Sequence, residues 1–284
     1  MKTKNSSKAF SLIELSIVIL VVGILIAGIT QSSSLVRKFK LHSAKSLTKS
    51  SPVNGIRNLV AWYETSLDES LLANEASNNN PITRWKNISP QTIENMDLVT
   101  SFASPTFIEN GINQGIPTIS FNGGQSMVLT PFTALNTTGK TFFVVAKTRS
   151  PLANGRVVAY GDMSFFRGIS FLNSNAVGFF DSATGGAVIT MPLSSSTSFK
   201  IITGYRKNDA IFISLNGSPS ASLTNNNTPN TNVTALFVGA GFGGNSSMLN
   251  GEIAEIIIYS ETLTSEERSS VEKYLSQKYA IPLF

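Results

Sequence analysis

Few side chains in this sequence are able to do chemistry, and their types exclude more than they allow. There is no cysteine, which removes thiolate nucleophiles, disulfides and zinc–thiolate sites together. His42 is the single histidine, leaving neither a Ser-His-Asp triad nor a histidine-bound hydrolytic metal. What remains is carboxylate chemistry. Cleavage of a glycosidic bond with retention needs two carboxylates about 5 Å apart. Glu252 and Glu255 stand three apart in an apolar run, and strand alternation predicts opposite faces for them. Glu255 then shares its face with Ile253, Ile257 and Tyr259 and is expected to be a structural carboxylate held by hydrogen bonds. Glu14 is of another kind, because it lies inside an apolar stretch at residues 10–29 that is otherwise broken only by Ser11 and Ser16.

That stretch, FSLIELSIVILVVGILIAGI, predicts a helix of about 30 Å, the thickness of a bilayer core. In lipid the backbone has no other partner, so even a β-branched run becomes helical. Lys2, Lys4 and Lys8 precede it and favour a cytoplasmic leader. A carboxylate at the depth of Glu14 costs a few kcal/mol and calls for a functional reason. Beyond it, Leu35 and Phe39 recur at i, i+4 among Arg37, Lys38 and Lys40, which predicts an amphipathic continuation of the helix to residue 50. His42 lies on this stem as a solvated residue. Pro52 and Gly55 predict a stop and a linker at 51–55.

The formal charge of +5 is unevenly spread. Residues 1–50 hold eight basic groups against Glu14 alone, and residues 51–284 carry about −2. The globular part has no basic face, which excludes a nucleic-acid partner.

Residues 8–15, Lys8-Ala9-Phe10-Ser11-Leu12-Ile13-Glu14-Leu15, resemble the type IV prepilin cleavage and methylation motif. The resemblance implies a leader at 1–9, removed by an inner-membrane prepilin peptidase that cuts between Ala9 and Phe10 and methylates the new amine of Phe10. It implies that Glu14 neutralises the terminal amine of a neighbouring pilin subunit during assembly. Pairing of this sort makes a buried carboxylate less costly than a lone one. Ala9 departs from the glycine usual before the cut.

Residues 56–284 change texture. Short apolar runs rich in β-branched and aromatic residues occur at 59–63, 117–121, 141–148, 156–160, 168–172, 176–180, 199–205, 210–216, 233–239 and 252–259. Turn-forming residues separate them, which predicts an antiparallel β-sandwich or jelly roll. Asn216-Gly217 is the pair a type I′ turn requires. Thr264 followed by Glu267 is a capping box, opening a C-terminal helix whose apolar face is Val271, Tyr274, Leu275 and Tyr279. The fold class expected is therefore mainly β, with a long N-terminal transmembrane helix, a sandwich and a C-terminal helix.

The strings Leu59-Val60-Ala61-Trp62-Tyr63, Arg84-Trp85-Lys86-Asn87, Phe121-Asn122-Gly123, Leu215-Asn216-Gly217 and GEIAEIIIY at 251–259 together resemble the laminin-G-like, concanavalin A-like lectin/glucanase superfamily. Asn87 and Glu64 depart from it where bacterial relatives often carry Asp. The glucanase branch of the superfamily carries an E-x-D-x-E string, and its absence here leads to the expectation that the chain is not an enzyme. No cofactor is expected except calcium, which many relatives bind. Its oxygen-bearing candidates near strand ends are Asp162, Asp181, Asn173 and Asn175. Trp62 and Trp85 are expected in the core. Together the two resemblances imply a pilin-like or pseudopilin subunit of a type IV pilus or type II secretion-type filament. It would be held in the bacterial inner membrane by one helix, with the sandwich outside the cytoplasm binding a surface glycan or protein. The alternatives are a purely structural subunit and a membrane-anchored polysaccharide hydrolase.

Overall fold

The computed structural model describes residues 11–92, 95–149, 154–162, 167–173, 175–182, 188–193, 197–224, 228–229 and 231–284, without the side chains of 27–31 and 242. Helix α1 (Leu12–Lys49) is one uninterrupted element of 38 residues, about 57 Å long at 1.5 Å per residue. It ends at Ser50, and a 3-10 turn at Pro52–Gly55 buries Val53. The strands that follow are β1 (Leu59–Glu64), β2 (Arg84–Trp85), β3 (Leu98–Thr100), β4 (Thr106–Ile112) and β5 (Ile116–Asn122). Next come β6 (Met127–Leu129), β7 (Lys140–Thr148), β8 (Gly155–Gly161), β9 (Arg167–Leu172), β10 (Ala176–Phe180) and β11 (Val188–Pro192). The last are β12 (Lys200–Lys207), β13 (Ala210–Leu215), β14 (Ala221–Thr224), β15 (Ala235–Val238) and β16 (Asn250–Tyr259), before helix α2 (Ser265–Tyr279).

All ten predicted runs are strands. The six that periodicity did not reveal, β2, β3, β4, β6, β11 and β14, are mostly two to five residues long or lie at sheet edges. There they bury too little to impose a pattern. Among the described residues the strands form two antiparallel eight-stranded sheets. One runs β14-β13-β12-β7-β16-β5-β4, with β1 also paired to β16; the other runs β11-β10-β9-β8-β15-β6-β3-β2.

The first sheet is buried on both faces, as its sequence requires. In β7, Phe142, Val144 and Ala146 enter the core between the sheets, while Phe143 and Val145 point to a second core under the helices. The second core also holds Ala44 of α1 and Val271, Leu275 and Tyr279 of α2. Thr264 and Glu267 make the predicted capping box of α2. Asn216 and Gly217 turn with φ of 50° and 69°, the left-handed pair a tight hairpin needs.

Sheet-to-sheet packing is close where β12 faces β10. The Phe179 ring lies over Gly204, so close that a Cβ there would stand 2.7 Å from a ring carbon. Gly204→Ala is expected to destabilise the fold by about 1–3 kcal/mol through overpacking, read as a lowered urea midpoint. Gly204→Ala combined with Phe179→Leu is expected to recover part of the loss.

Candidate functional site

The N-terminal half of α1 opens with its own cap. Ser11 Oγ accepts from Ile13 N–H at 3.3 Å, and Ser11 N–H donates to Glu14 Oε2 at 2.9 Å. Glu14 thus satisfies a helix-end donor within its own chain. Ala9 and Phe10 lie outside the described residues. From Leu12 to Ile26 the leucines, isoleucines and valines are exposed, from 46% at Val22 to 86% at Leu12, on every face of the helix. Among the described residues no helix is long and apolar enough to cross a membrane. The predicted span at 10–29 includes Phe10 and the side chains of 27–29, which are not among them.

The globular part is joined to the far end of α1 by a buried polar cluster. Its centre is the Lys278 ammonium, donating to Glu255 Oε2 at 2.8 Å and Glu64 Oε2 at 2.9 Å, with all three side chains fully buried. Glu255 also accepts from Trp62 Nε1 at 2.6 Å and from the Tyr274 and Tyr279 hydroxyls at 2.9 and 2.8 Å. Glu64 accepts from the backbone N–H groups of Ser66 and Leu67, both at 2.7 Å, and from the Ser70 hydroxyl. The Tyr274 hydroxyl lies 3.3 Å from Thr48 Oγ1, which brings the last turns of α1 into the network. Burial pushes the Glu64 carboxyl up, but Lys278 and the serine hydroxyls outweigh it and hold it at about 2. Burial alone would lower Lys278; the charges of Glu255 and Glu64 raise it above its ordinary value. Burial, reinforced by the Glu255 charge, raises both tyrosines well above 10, so their hydroxyls stay protonated and donate. Sealed from solvent, the cluster fixes β1, β16, α2 and α1 to one another and offers no group to a ligand.

A β-bulge in β16 creates this arrangement and corrects the expectation that Glu252 and Glu255 face opposite ways. Glu252 pairs with Lys147, then the register to β7 shifts between Ile253 and Glu255, so that Glu255 pairs with Val145. The extra residue puts both carboxylates on the helix side of the sheet and sends Ile253 to the core between the sheets. The two carboxylates nevertheless serve separate networks. Glu252 accepts from Thr118 at 2.8 Å and is paired with Arg149 at 2.6 Å and Lys147 at 3.0 Å. Sequence reasoning missed Lys278 in this cluster and also Glu64, a position noted only for its departure from Asp. Its neighbours Ser66 and Ser70 were the available signal, since they supply donors for a carboxylate in an apolar strand.

The calcium candidates are dispersed. Asn173 and Asn175 flank the β9–β10 turn, and Asp181 follows β10 at its other end, about 20 Å away along the strand. Asp181 is buried against Arg206 at 3.6 Å and Lys140 at 3.9 Å, and Asp162 faces Arg167 at 3.6 Å. A calcium ion needs six or more oxygens about one point, and these positions do not converge. Among the described residues no three His, Cys, Asp or Glu side chains are grouped to hold a metal. Burial, with Arg206 and Arg167 adding to it against Asp181, lowers Lys140 to about 8. Trp62 and Trp85 are both buried, as expected, with Trp85 Nε1 donating to the Glu64 carbonyl at 2.7 Å.

Comparison with known proteins bears on both ends of the chain. Residues 4–30 match the family described as the prokaryotic N-terminal methylation motif. The match supports a type IV pilin-like N-terminus. No curated protein sequence matches the chain. Among solved structures, Trypanosoma rangeli sialidase matches with a TM-score of 0.52 and 14% identity over 78% of this chain and 33% of that one. Its complex with 2,3-difluoro-KDN gives 0.53 and 11% over 85% and 39%. Its complex with the inhibitor DANA gives 0.52 and 13% over 83% and 38%. This chain therefore spans well under half the length of these sialidases, and the likeness is one of fold. The β-sandwich shares its fold with these sialidases, and the likeness is not specifically one to laminin-G-like domains. The expectation of a chain without enzymatic activity is corrected by the same finding. Its fold is shared with enzymes, so the missing glucanase string does not exclude catalysis.

Lys278→Met is expected to cost about 3–5 kcal/mol, because it leaves two buried carboxylates without their cation; chemical unfolding of the full chain in detergent reads this. For Glu64 the native carboxyl lies below its ordinary 4.5. Its stabilisation is complete above about pH 4.5 and is lost as the pH falls towards 2. The stability gap between wild type and Glu64→Gln is expected to narrow across that window; a gap independent of pH would refute the pairing.

Proposed function

We propose that this chain is a pilin-like or pseudopilin subunit of a type IV pilus or type II secretion-type filament, whose β-sandwich is displayed for adhesion through a glycan or protein ligand. The observation that carries this reading is the methylation motif at 4–30 leading into a helix whose apolar side chains are exposed all round. Such a surface is unstable in water and calls for lipid or other apolar helices around it. The stretch at 10–29 enters the inner membrane as a single span, prepilin peptidase cuts between Ala9 and Phe10, and the sandwich lies outside the cytoplasm. Glu14 then exchanges its partner at Ser11 for the methylated amine of a neighbouring subunit.

A glycan ligand is supported by the fold. The sialidases that share it include complexes with sialic acid, with 2,3-difluorosialic acid as a covalent intermediate and with the inhibitor DANA. The same likeness favours one second reading, a membrane-anchored polysaccharide hydrolase. A folded part of about 230 residues has a radius of gyration near 17 Å, which is bulky beside one helix and suits a tip or low-abundance position.

N-terminal mass spectrometry of the mature protein is expected to find a species starting at Phe10 with a methylated amine. An intact leader, or a cut beyond Ile29, would overturn the pilin reading. Glu14→Val is expected to be processed normally yet to fall at least tenfold in sheared filaments, measured by quantitative blotting. A glycan array scored for both retention and turnover separates adhesion from hydrolysis.

A further inference from the structure

The turn between β4 and β5 leans on the stem. Asn113 and Gln114 have φ of 51° and 55°. Lys40 Nζ donates to the Asn113 carbonyl at 2.7 Å, and the Asn113 side chain donates to the Tyr279 carbonyl. Gly115 is pressed against the helix, where a Cβ would stand 3.0 Å from Lys40 Cβ and 3.3 Å from the Arg37 carbonyl. The turn is thereby wedged between α1 and α2. Below it a groove of about 1080 Å³ runs down α1.

The chemistry of this groove changes along its length. Ile24 and Leu25 line its lower part and Ser32, Ser33 and Val36 its upper part, Arg37 and Lys40 stand at the top, and Asn110 and Gln114 close it from the β4–β5 side. A smaller groove sharing Arg37 and Asn110 adds Lys38, together with Glu109. Three cations thus face one carboxylate. From Leu25 to Arg37 is about 18 Å of helix rise, of which about 6 Å lies within the stretch at 10–29. Arg37 lies eight residues past Ile29, about 12 Å along the axis. Side chains on a helix lean towards its N-terminus, here towards the apolar half, and long basic side chains reach the headgroup layer this way.

We infer that this groove seats one anionic phospholipid of the bilayer, its acyl chain along Ile24 and Leu25, its glycerol region past Ser32, Ser33 and Val36, and its phosphate between Arg37 and Lys40. The site rests on the reading of residues 10–29 as embedded in a membrane. Its charge matches an anionic headgroup, its lower wall is continuous with the exposed apolar surface of α1, and the wedged turn holds its upper wall in place.

The test is native mass spectrometry of the full chain in detergent, titrated with phosphatidylglycerol or with phosphatidylcholine of equal chain length. Phosphatidylglycerol is expected to be retained preferentially. Arg37→Gln with Lys40→Gln should weaken its retention by about fivefold per charge removed, and Arg37→Lys with Lys40→Arg should restore it. Lys49→Gln, on the same stem outside the groove, should leave retention unchanged. Equal retention of the two lipids, an equal loss in Lys49→Gln, or displacement by millimolar inorganic phosphate would each overturn the site. Carbonate extraction of native membranes reads the underlying assumption separately. Release of the chain overturns the membrane reading, whereas loss of lipid preference in a chain that stays membrane-bound overturns the groove alone.

Discussion

One buried ammonium between two buried carboxylates organises this molecule. Lys278 on α2 meets Glu64 on β1 and Glu255 on β16, and each carboxylate is completed by neutral donors from its surroundings. Moving three charges out of water is expensive, and attraction repays it only where geometry is good and the remaining lone pairs are filled. Here Trp62, Tyr274 and Tyr279 fill those of Glu255, and two backbone N–H groups with Ser70 fill those of Glu64. The elements involved cannot shift relative to one another without leaving a charge unpaired. The position of α2 on the sheet, and through Thr48 that of the stem, follows from this constraint.

The same constraint explains why the first sheet is apolar on both faces. Its strands must face the second sheet on one side and the two helices on the other, so β7 and β16 are largely apolar, with Glu255 in the cluster, Lys147 paired to Glu252 near one end and Lys140 at the start of β7. The second sheet has no helix among the described residues packed on its outer face. Its polar interior lies instead at one end, where Asp181 sits among Lys140 and Arg206. The two clusters have opposite balances. Two carboxylates share one cation at the stem, whereas cations crowd one buried carboxylate at the far end.

Between the two parts of the chain there is a contrast of solvents. The sandwich buries most of its apolar side chains internally, while the first turns of α1 expose theirs to solvent. An apolar surface of this extent is unfavourable in water, and the methylation motif overlaps its start. The likeness to sialidases is one of architecture. Sequence identity of 11–14% carries no residue of their chemistry to this chain.

By itself the sequence determined the elements whose physics is local. The apolar stretch with its basic flank, the Thr264–Glu267 cap, the Asn216-Gly217 turn and ten strand-sized runs were legible because propensity, period and capping act over a few residues. The short edge strands were not, since their pairing depends on neighbours far away in the chain. Nor was the cluster. Glu64, Glu255 and Lys278 are separated by up to 214 positions, and nothing in their local strings joins them. The decisive detail was one extra residue in β16. Period-two reasoning placed Glu252 and Glu255 on opposite faces, and a bulge, which arises from pairing with β7, put both beneath the helices. Tertiary structure alone decided which buried charges would meet, because the cost of leaving any one of them unpaired is felt only when the strands and helices have come together.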